Sequence, residues 1–374
     1  MKALHLVERI DDSYGGPAKS IPLLCAGLRN FGVDSIIISA NSQESKNELI
    51  NKFNIPWIKC TPAINGRFYF SITLAKQLRK ILPSIDVIHI HSLWTYPTLI
   101  TYFLAKRLDK KIIISPRSSL FSASLEKSRL KKKIMRAIFL DELLKSSSAI
   151  IASSQQELIE ARFLGDFNLA LIPNGIDTAE FRSAPSKEDS RQELGLPTNR
   201  KIISFISRIH KRKGLSHLVD GWIKINRDRP DKVCLMVAGP IDDQEYFNEQ
   251  LSKIEKSGLN SEFFYLGMVS GPSRVKAFKA GDLFVLPTEF ENFGMCLAES
   301  MLAGVPVITS RNTPWESLNK ESAGWFIDIE ALPEKISEAL SDNLKEFGLR
   351  ACNLVTRNYS HEAMAERVSK LYLN

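Results

Sequence analysis

Two acids, Glu291 and Glu299, stand with seven residues between them around the run Asn292-Phe293-Gly294-Met295, shortly after the apolar segment Leu283–Leu286. A strand that passes through a glycine into a helix offers unpaired backbone N–H groups and the positive end of a helix dipole, which suits a phosphate. A carboxylate accepts hydrogen bonds in pairs, as neighbouring sugar hydroxyls donate them. Acids around an anion site therefore point to a sugar phosphate, although a capped surface helix with ordinary glutamates shares the local pattern. A second segment, Ser207-Arg208-Ile209-His210-Lys211-Arg212-Lys213-Gly214, follows an apolar run at 201–206 and precedes a helix. There Arg208 can grip two phosphate oxygens at once, with Lys213 as a mobile point charge beside it.

Weaker signals surround these two. Tyr14-Gly15-Gly16-Pro17 follows the first apolar run, and paired glycines at a strand-to-helix turn can turn backbone N–H groups toward an anion. This is not the Gly-x-Gly-x-x-Gly dinucleotide fingerprint. No Asp-x-Asp pair is present to carry a metal-bound nucleotide; Asp11-Asp12 and Asp242-Asp243 read as turn acids, so no metal and no cofactor are expected. His89 and His91, two apart on a strand, share a face. They read as substrate-binding or packed residues rather than metal ligands.

The elements that must position these residues alternate. Short β-rich runs at 3–7, 35–39, 87–91, 111–115, 149–152 and 169–172 are separated by helical patterns, and the rhythm repeats at 201–206, 233–238, 263–266, 283–286, 305–309 and 325–327. This is α/β patterning, predicting two doubly wound parallel sheets. A polar, proline-bearing stretch places a linker near 180–195. Ligands of such sheets bind beyond the carboxyl ends of the strands, and two such domains facing each other would form a cleft. Residues 360–373 read as an amphipathic helix with Ala363, Val368, Leu371 and Tyr372 apolar. Residues 125–145 are basic and amphipathic: Leu130, Ile134 and Ile138 on one face, flanked by Lys127, Arg129, Lys131, Lys132, Lys133 and Arg136. The stretch is either a solvated surface helix or a membrane contact.

Composition bounds the class. A chain of 374 residues with 44% hydrophobic and 25% charged residues reads as about two globular domains rather than a disordered or fibrous protein. No apolar run approaches the about 18 residues that span a bilayer, and the first residues are too short a run for a signal peptide, so a cytoplasmic protein is expected. Five scattered cysteines without a Cys-x-x-Cys read as reduced thiols. Residues 1–180 hold 24 basic against 16 acidic side chains while the remainder balances, so the whole net charge of +8 lies in the first half. That half is expected to face something anionic: a membrane surface, a phosphorylated acceptor or nucleic acid.

Together these residues resemble the retaining glycosyltransferases of family four, which have the GT-B fold. The resemblance runs over nearly the whole chain. Glu291 and Glu299 have the family's Glu-x7-Glu spacing with Phe293-Gly294 inside it, followed by Ala303-Gly304-Val305-Pro306-Val307-Ile308; Arg208 with Lys213-Gly214 resembles the diphosphate clamp, and Ile172-Pro173-Asn174-Gly175-Ile176-Asp177, closing with Phe181, the domain-junction signature. The resemblance implies two facing Rossmann-like domains, an acceptor-binding one at 1–182 and a donor-binding one at 183–357, with the helix at 358–374 packing back on the first. It implies a nucleoside-diphosphate sugar, UDP- or GDP-linked, as donor and a saccharide or polyprenyl-diphosphate-linked saccharide as acceptor. The setting implied is bacterial surface polysaccharide, such as lipopolysaccharide, made at the cytoplasmic membrane face, with 125–145 on anionic lipid.

By position, Arg208 and Lys213 would neutralise the diphosphate and Glu299 would bind the ribose. Glu291 would hold donor-sugar hydroxyls, and the amides at Phe293, Gly294, Met295 and Gly16 would complete the phosphate site. Gly15, His91, Arg117 and Asn174 are the acceptor-side expectation. Where family members often carry a histidine, this chain has Arg117, which stays charged and cannot act as a neutral acceptor. Arg117 is expected to share in catalysis by gripping a phosphate or acidic sugar. A sugar-nucleotide epimerase of the same fold is the rival reading; a nucleic-acid-binding protein fits less well, because the neutral second half carries the sharpest motifs.

Overall fold

A computed structural model describes residues 1–63, 66, 68–126, 128–227 and 229–373. Of the residues singled out above, Lys127 lies outside them. The chain divides into two compact units, Met1–Ile176 with His361–Asn374, and Asp177–Ser360.

The first unit is built on seven parallel strands, β1 (Lys2–Val7), β2 (Asp34–Ser39), β3 (Trp57–Lys59), β4 (Val87–Ile90), β5 (Lys111–Ile114), β6 (Ala149–Ala152) and β7 (Leu169–Leu171), in the order β3-β2-β1-β4-β5-β6-β7. Apart from the buried His5 in β1 and His89 in β4, the central strands are β-branched and apolar runs because helices cover both faces: every residue of β4 and β6 is buried, and so is all of β1 beyond Lys2. The strand order reverses between β1 and β4, so the loops after these two strands diverge to opposite faces and leave a crevice at their carboxyl ends. β3, absent from the sequence-based reading, has three residues and none fully buried, too little for a periodic signal.

The final helix, His361–Leu373, completes this unit. Its buried residues are Met364, Ala365, Val368, Ser369 and Tyr372, which join Leu24, Leu28 and Ile151 in one apolar cluster, apart from Ser369. The His361 N–H donates to Ile176 O at 3.0 Å, and Lys111 Nζ donates to Tyr372 O at 3.1 Å. The basic stretch is broken rather than continuous: helices Ser122–Glu126 and Arg129–Met135, a π-helical turn Arg136–Leu140 and helix Asp141–Ser146. The wider turn lets Phe139, Leu140, Leu143 and Leu144 point inward, while Leu130, Ile134 and Ile138 remain 73%, 51% and 59% exposed.

The second unit repeats the plan with six parallel strands, β8 (Ile202–Ile206), β9 (Cys234–Ala238), β10 (Phe263–Tyr265), β11 (Leu283–Leu286), β12 (Val307–Ser310) and β13 (Gly324–Ile327), in the order β10-β9-β8-β11-β12-β13. Here the reversal falls between β8 and β11. The segment expected to be a linker is instead largely helical, Thr178–Arg182 and Lys187–Glu193. It is tied into this unit by Arg191, whose buried guanidinium donates to Ala280 O at 2.8 Å and to Asp282 at 2.6 Å. Its polarity belongs to capped helices rather than to a free tether.

Candidate active site

In the second unit the two motif-bearing loops leave adjacent strands at the reversal point. The loop after β8 starts along β9, with Ser207 N–H on Ala238 O at 3.0 Å and Ile209 N–H on Pro240 O at 2.8 Å. It then tightens into a 3-10 turn, Lys211–Lys213, capped by His210 Nδ1 accepting from Arg212 N–H at 3.2 Å, and closes on Gly214. Gly214 has φ +76, and a Cβ there would stand 2.0 Å from Pro287 O, so the loop after β8 lies directly on the loop after β11. Arg212 O accepts from both Glu289 N–H and Thr288 Oγ1 at 2.9 Å, which stitches the two loops together.

The consequence is that Lys213 meets Glu291 in an ion pair whose side chains are only 15% and 20% exposed. Arg208 does not join them: it pairs with Asp242 at 2.8 Å and is 64% exposed. Asp242 is thus an ion-pair partner, and Asp243 caps the helix Gln244–Lys256 by accepting from Tyr246 N–H at 3.0 Å. Gly294, φ +79, is the N-cap of the helix Met295–Leu302, and no acidic residue fills its first turn. Phe293 is buried against Trp315 and Tyr359, and its carbonyl accepts from Trp315 Nε1 at 2.5 Å, so aromatic packing fixes the backbone that precedes the helix. Glu299, one turn further on, is buried and hydrogen-bonded by Arg274 Nη1; Arg274 Nη2 donates to Glu180 at 2.5 Å. Neither Arg274 nor Glu180 stood out in the sequence, because a lone Arg in a helix has no spacing signature.

In the first unit, Arg117 and Ser118 both have positive φ, +50 and +67, an unfavourable backbone pairing that places the guanidinium among neutral acceptors. Arg117 donates to Ser20 Oγ at 2.9 Å, to Asn174 Oδ1 at 3.4 Å and to His91 Nδ1 at 3.2 Å. The strained turn is held by Glu157, a buried acid that sequence reading passed over; it accepts from Ser118 N–H at 2.5 Å and Ser153 N–H at 2.8 Å. Gly15, φ +82, and Gly16 open the helix Gly16–Leu28, with open space where either Cβ would sit.

His91 is 2% exposed and has both ring nitrogens engaged, so it acts on Arg117 from behind rather than presenting itself at the surface. Since its Nδ1 accepts from Arg117, its Nε2 carries the proton and donates to His5 Nδ1 at 3.0 Å. His89 is satisfied separately by Tyr372 OH at 2.7 Å and Ser115 Oγ at 2.8 Å. His5, on β1, is in register with His89 on β4, which brings a third imidazole to the pair. The three rings offer nitrogens within 4.8 Å of one another. Burial first, then the Arg117 charge, lowers His5 to about 3; burial and the neighbouring rings and Arg117 hold His89 and His91 well below the usual range. All three are neutral at pH 7. A cavity of about 20 Å³, lined by Ser115, Arg117, Ser153 and Asn174 among others, has room for one water.

Comparison with known proteins finds both halves of the chain similar to glycosyltransferases. Residues 14–180 match the family model Glycosyltransferase Family 4, and residues 186–353 match Glycosyl transferases group 1. An uncharacterized glycosyltransferase of Methanocaldococcus jannaschii is 24% identical over 96% of this chain and 94% of its own. The lipopolysaccharide core biosynthesis mannosyltransferase LpsB of Rhizobium meliloti is 26% identical over 62% of this chain and 66% of its own. Among solved structures, HepE of Anabaena in complex with UDP and glucose superimposes with a TM-score of 0.78 at 19% identity, covering 99% of this chain and 98% of that one.

Proposed function

The chain belongs to the family-four glycosyltransferases, enzymes of GT-B fold, and on that footing we propose that it moves a sugar from a nucleoside-diphosphate sugar to a saccharide or lipid-linked saccharide with retention of configuration. The observation that carries the proposal is the meeting of Lys213 and Glu291 beside the Gly294-capped helix, at the point where the strand order of the second sheet reverses. The pair is an exchangeable one. An incoming diphosphate replaces Glu291 as the partner of Lys213, and Glu291, released, accepts hydrogen bonds from donor-sugar hydroxyls.

In the reaction the bond from the anomeric carbon to the diphosphate oxygen breaks, and the acceptor oxygen bonds to that carbon. The acceptor's proton passes to the departing phosphate. Negative charge growing on that phosphate is met by Lys213, Arg208 and the positive, N-terminal end of the Met295–Leu302 helix, which is preorganised electrostatic stabilisation. No metal is assigned a part. Glu299 takes the ribose, and the Arg117 guanidinium with Asn174 serves a phosphate or acidic group on the acceptor. The names of LpsB and of HepE's ligands support a nucleotide-sugar donor and a role in surface polysaccharide assembly. Among the described residues no helix is long and apolar enough to cross a membrane. The exposed Leu130, Ile134 and Ile138 beside Lys131 and Lys133 suit peripheral contact with anionic lipid on the cytoplasmic face.

A thermal-shift titration with UDP, GDP and ADP tests the donor site. A shift with one of them, lost in Lys213→Ala and Glu299→Ala, is expected; at 100 times the dissociation constant it amounts to about 2.7 kcal/mol. No shift with any diphosphate would remove the donor reading.

A further inference from the structure

We infer that Asp242 competes with the donor's diphosphate for Arg208, and so sets how tightly the donor is held. The inference rests on the reading of Arg208 as part of the diphosphate site. Backbone hydrogen bonds bring the two residues together. The Ser207 and Ile209 N–H groups reach Ala238 O and Pro240 O, Ile209 bridges to Ile241 in parallel, and the Asp242 and Asp243 N–H groups return to Ile209 O at 3.1 and 3.3 Å. Arg208 lies inside this ladder, and its Nη1 donates to Asp242 Oδ2 at 2.8 Å. The carboxylate stands on a fixed base, because the next residue, Asp243, caps the helix Gln244–Lys256. The guanidinium hangs on a long side chain that is 64% exposed, so Arg208 is the partner able to move.

Two cations of the loop after β8 are held by acids from the neighbouring loops. Asp242 follows β9 and Glu291 follows β11, the two strands that flank β8; the first acid takes Arg208 and the second takes Lys213. The pairs differ in depth. Lys213 and Glu291 are mostly buried, whereas Arg208 and Asp242 stand largely in water and share one hydrogen bond rather than a two-bonded fork. Among the described residues neither Arg208 nor Asp242 has another side-chain partner.

A single bond at an exposed position fixes the direction of a guanidinium poorly, which argues against Asp242 as an aid to its orientation. What the pair does is balance charge: beside Asp242 the guanidinium presents little net charge to an arriving anion. A diphosphate brings more charge and several oxygens that accept in pairs, so it takes the guanidinium over and leaves Asp242 to water. The apparent affinity for the donor is then reduced by the fraction of molecules in which Arg208 is already engaged. Exposed ion pairs are weak, and their measured range corresponds to about a two- to fivefold change in that affinity.

The test is isothermal titration of the full chain with UDP, GDP and ADP, in the wild type, Asp242→Asn, Arg208→Ala and the double variant. Asparagine keeps the shape of the side chain and removes its charge. Whichever diphosphate binds the wild type should bind Asp242→Asn more tightly. That gain should exceed the gain from the same change in the Arg208→Ala background by about two- to fivefold. The second background subtracts the plain repulsion between Asp242 and the diphosphate, which needs no Arg208. Equal gains in the two backgrounds would show Asp242 to be only a nearby charge, and weaker binding by Asp242→Asn would show that it orients Arg208. Either result overturns the inference and leaves the donor site standing. If Arg208→Ala binds the diphosphate as the wild type does, Arg208 is outside the diphosphate site and the inference falls with that reading. If no diphosphate binds the wild type, both fall together.

Discussion

Gly214→Ala offers the sharpest test of how the loops after β8 and β11, proposed to hold the donor, are assembled. The alanine would have to hold φ +76, a left-handed conformation that costs about 1–2 kcal/mol without a glycine. Its Cβ would stand 2.0 Å from Pro287 O, whereas carbon and oxygen settle no closer than about 3.3 Å even in a favourable contact, so one backbone must yield by about 1.3 Å. Both atoms belong to chain held by hydrogen bonds, Arg212 O to Glu289 N–H on one side and Thr288 Oγ1 to the same carbonyl on the other. Conformation and displacement together should cost about 3–5 kcal/mol, the range of a disrupted buried network. In a unit of this size that is a fall in Tm of about 6–20 °C. Gly304→Ala is the control: φ is again +76, but nothing lies within 4 Å of the added Cβ, so only the about 1–2 kcal/mol for conformation applies. Scanning calorimetry on both variants, with UDP and GDP titrations, reads stability and binding together. Equal melting of the two variants, or undiminished nucleotide binding by Gly214→Ala, would refute the claim that the contact between these loops builds the site.

Four further outcomes are expected. Replacing Arg208 or Lys213 with Ala should lower turnover by about 10²–10³ each, and parent rates in a radiolabelled transfer assay would remove them from the leaving-group site. Glu291→Gln should alter selectivity among donor sugars more than affinity for the bare nucleotide; a loss of nucleotide binding alone would count against its sugar contact. His5, His89 and His91 have folded pKa values below the unfolded 6.5, so the unfolded chain takes up protons that the fold refuses; stability is full above about pH 6.5 and falls as pH drops toward about 3. At pH 5.5 each should cost about 1.4 kcal/mol, and equal urea midpoints at pH 7.5 and 5.5 would show that the rings are not held neutral. Flotation with anionic liposomes should carry the protein and neutral ones should not; Ile134→Asp should abolish it, and unchanged flotation would remove this face from the contact.

The fold was legible where local pattern and burial coincide. Strands such as Leu283–Leu286 and Ala149–Ala152 are short apolar runs because the sheet is covered on both sides, and a run of that kind is visible without neighbours. The Trp57–Lys59 strand was not, since half-buried edge residues carry no such run. The site divides in the same way. Gly214 and Gly294 could be read because backbone geometry demands glycine there, and Glu291 and Glu299 because spacing along one chain segment is itself a signal. What could not be read depends on register between distant strands or helices. His5 stands beside His89 only because β1 pairs with β4 in that register, and Arg274 reaches Glu180 and Glu299 across 94 and 25 residues. The Lys213–Glu291 pair spans 78 residues, and only the stitching of two loops reveals it.

The last helix also sets an order of events at the ribosome. Tyr372, which closes the apolar cluster of the first unit and bonds His89, is made only after the whole second unit has been translated. At about 5–20 residues per second, translation of the intervening chain takes on the order of 10–40 s. For that interval the first sheet stands with one apolar face unsealed between Leu24, Leu28 and Ile151. The nascent protein therefore has a span of time in which a chaperone that recognises exposed apolar surface has a binding site on it, and that site vanishes when the helix His361–Leu373 docks.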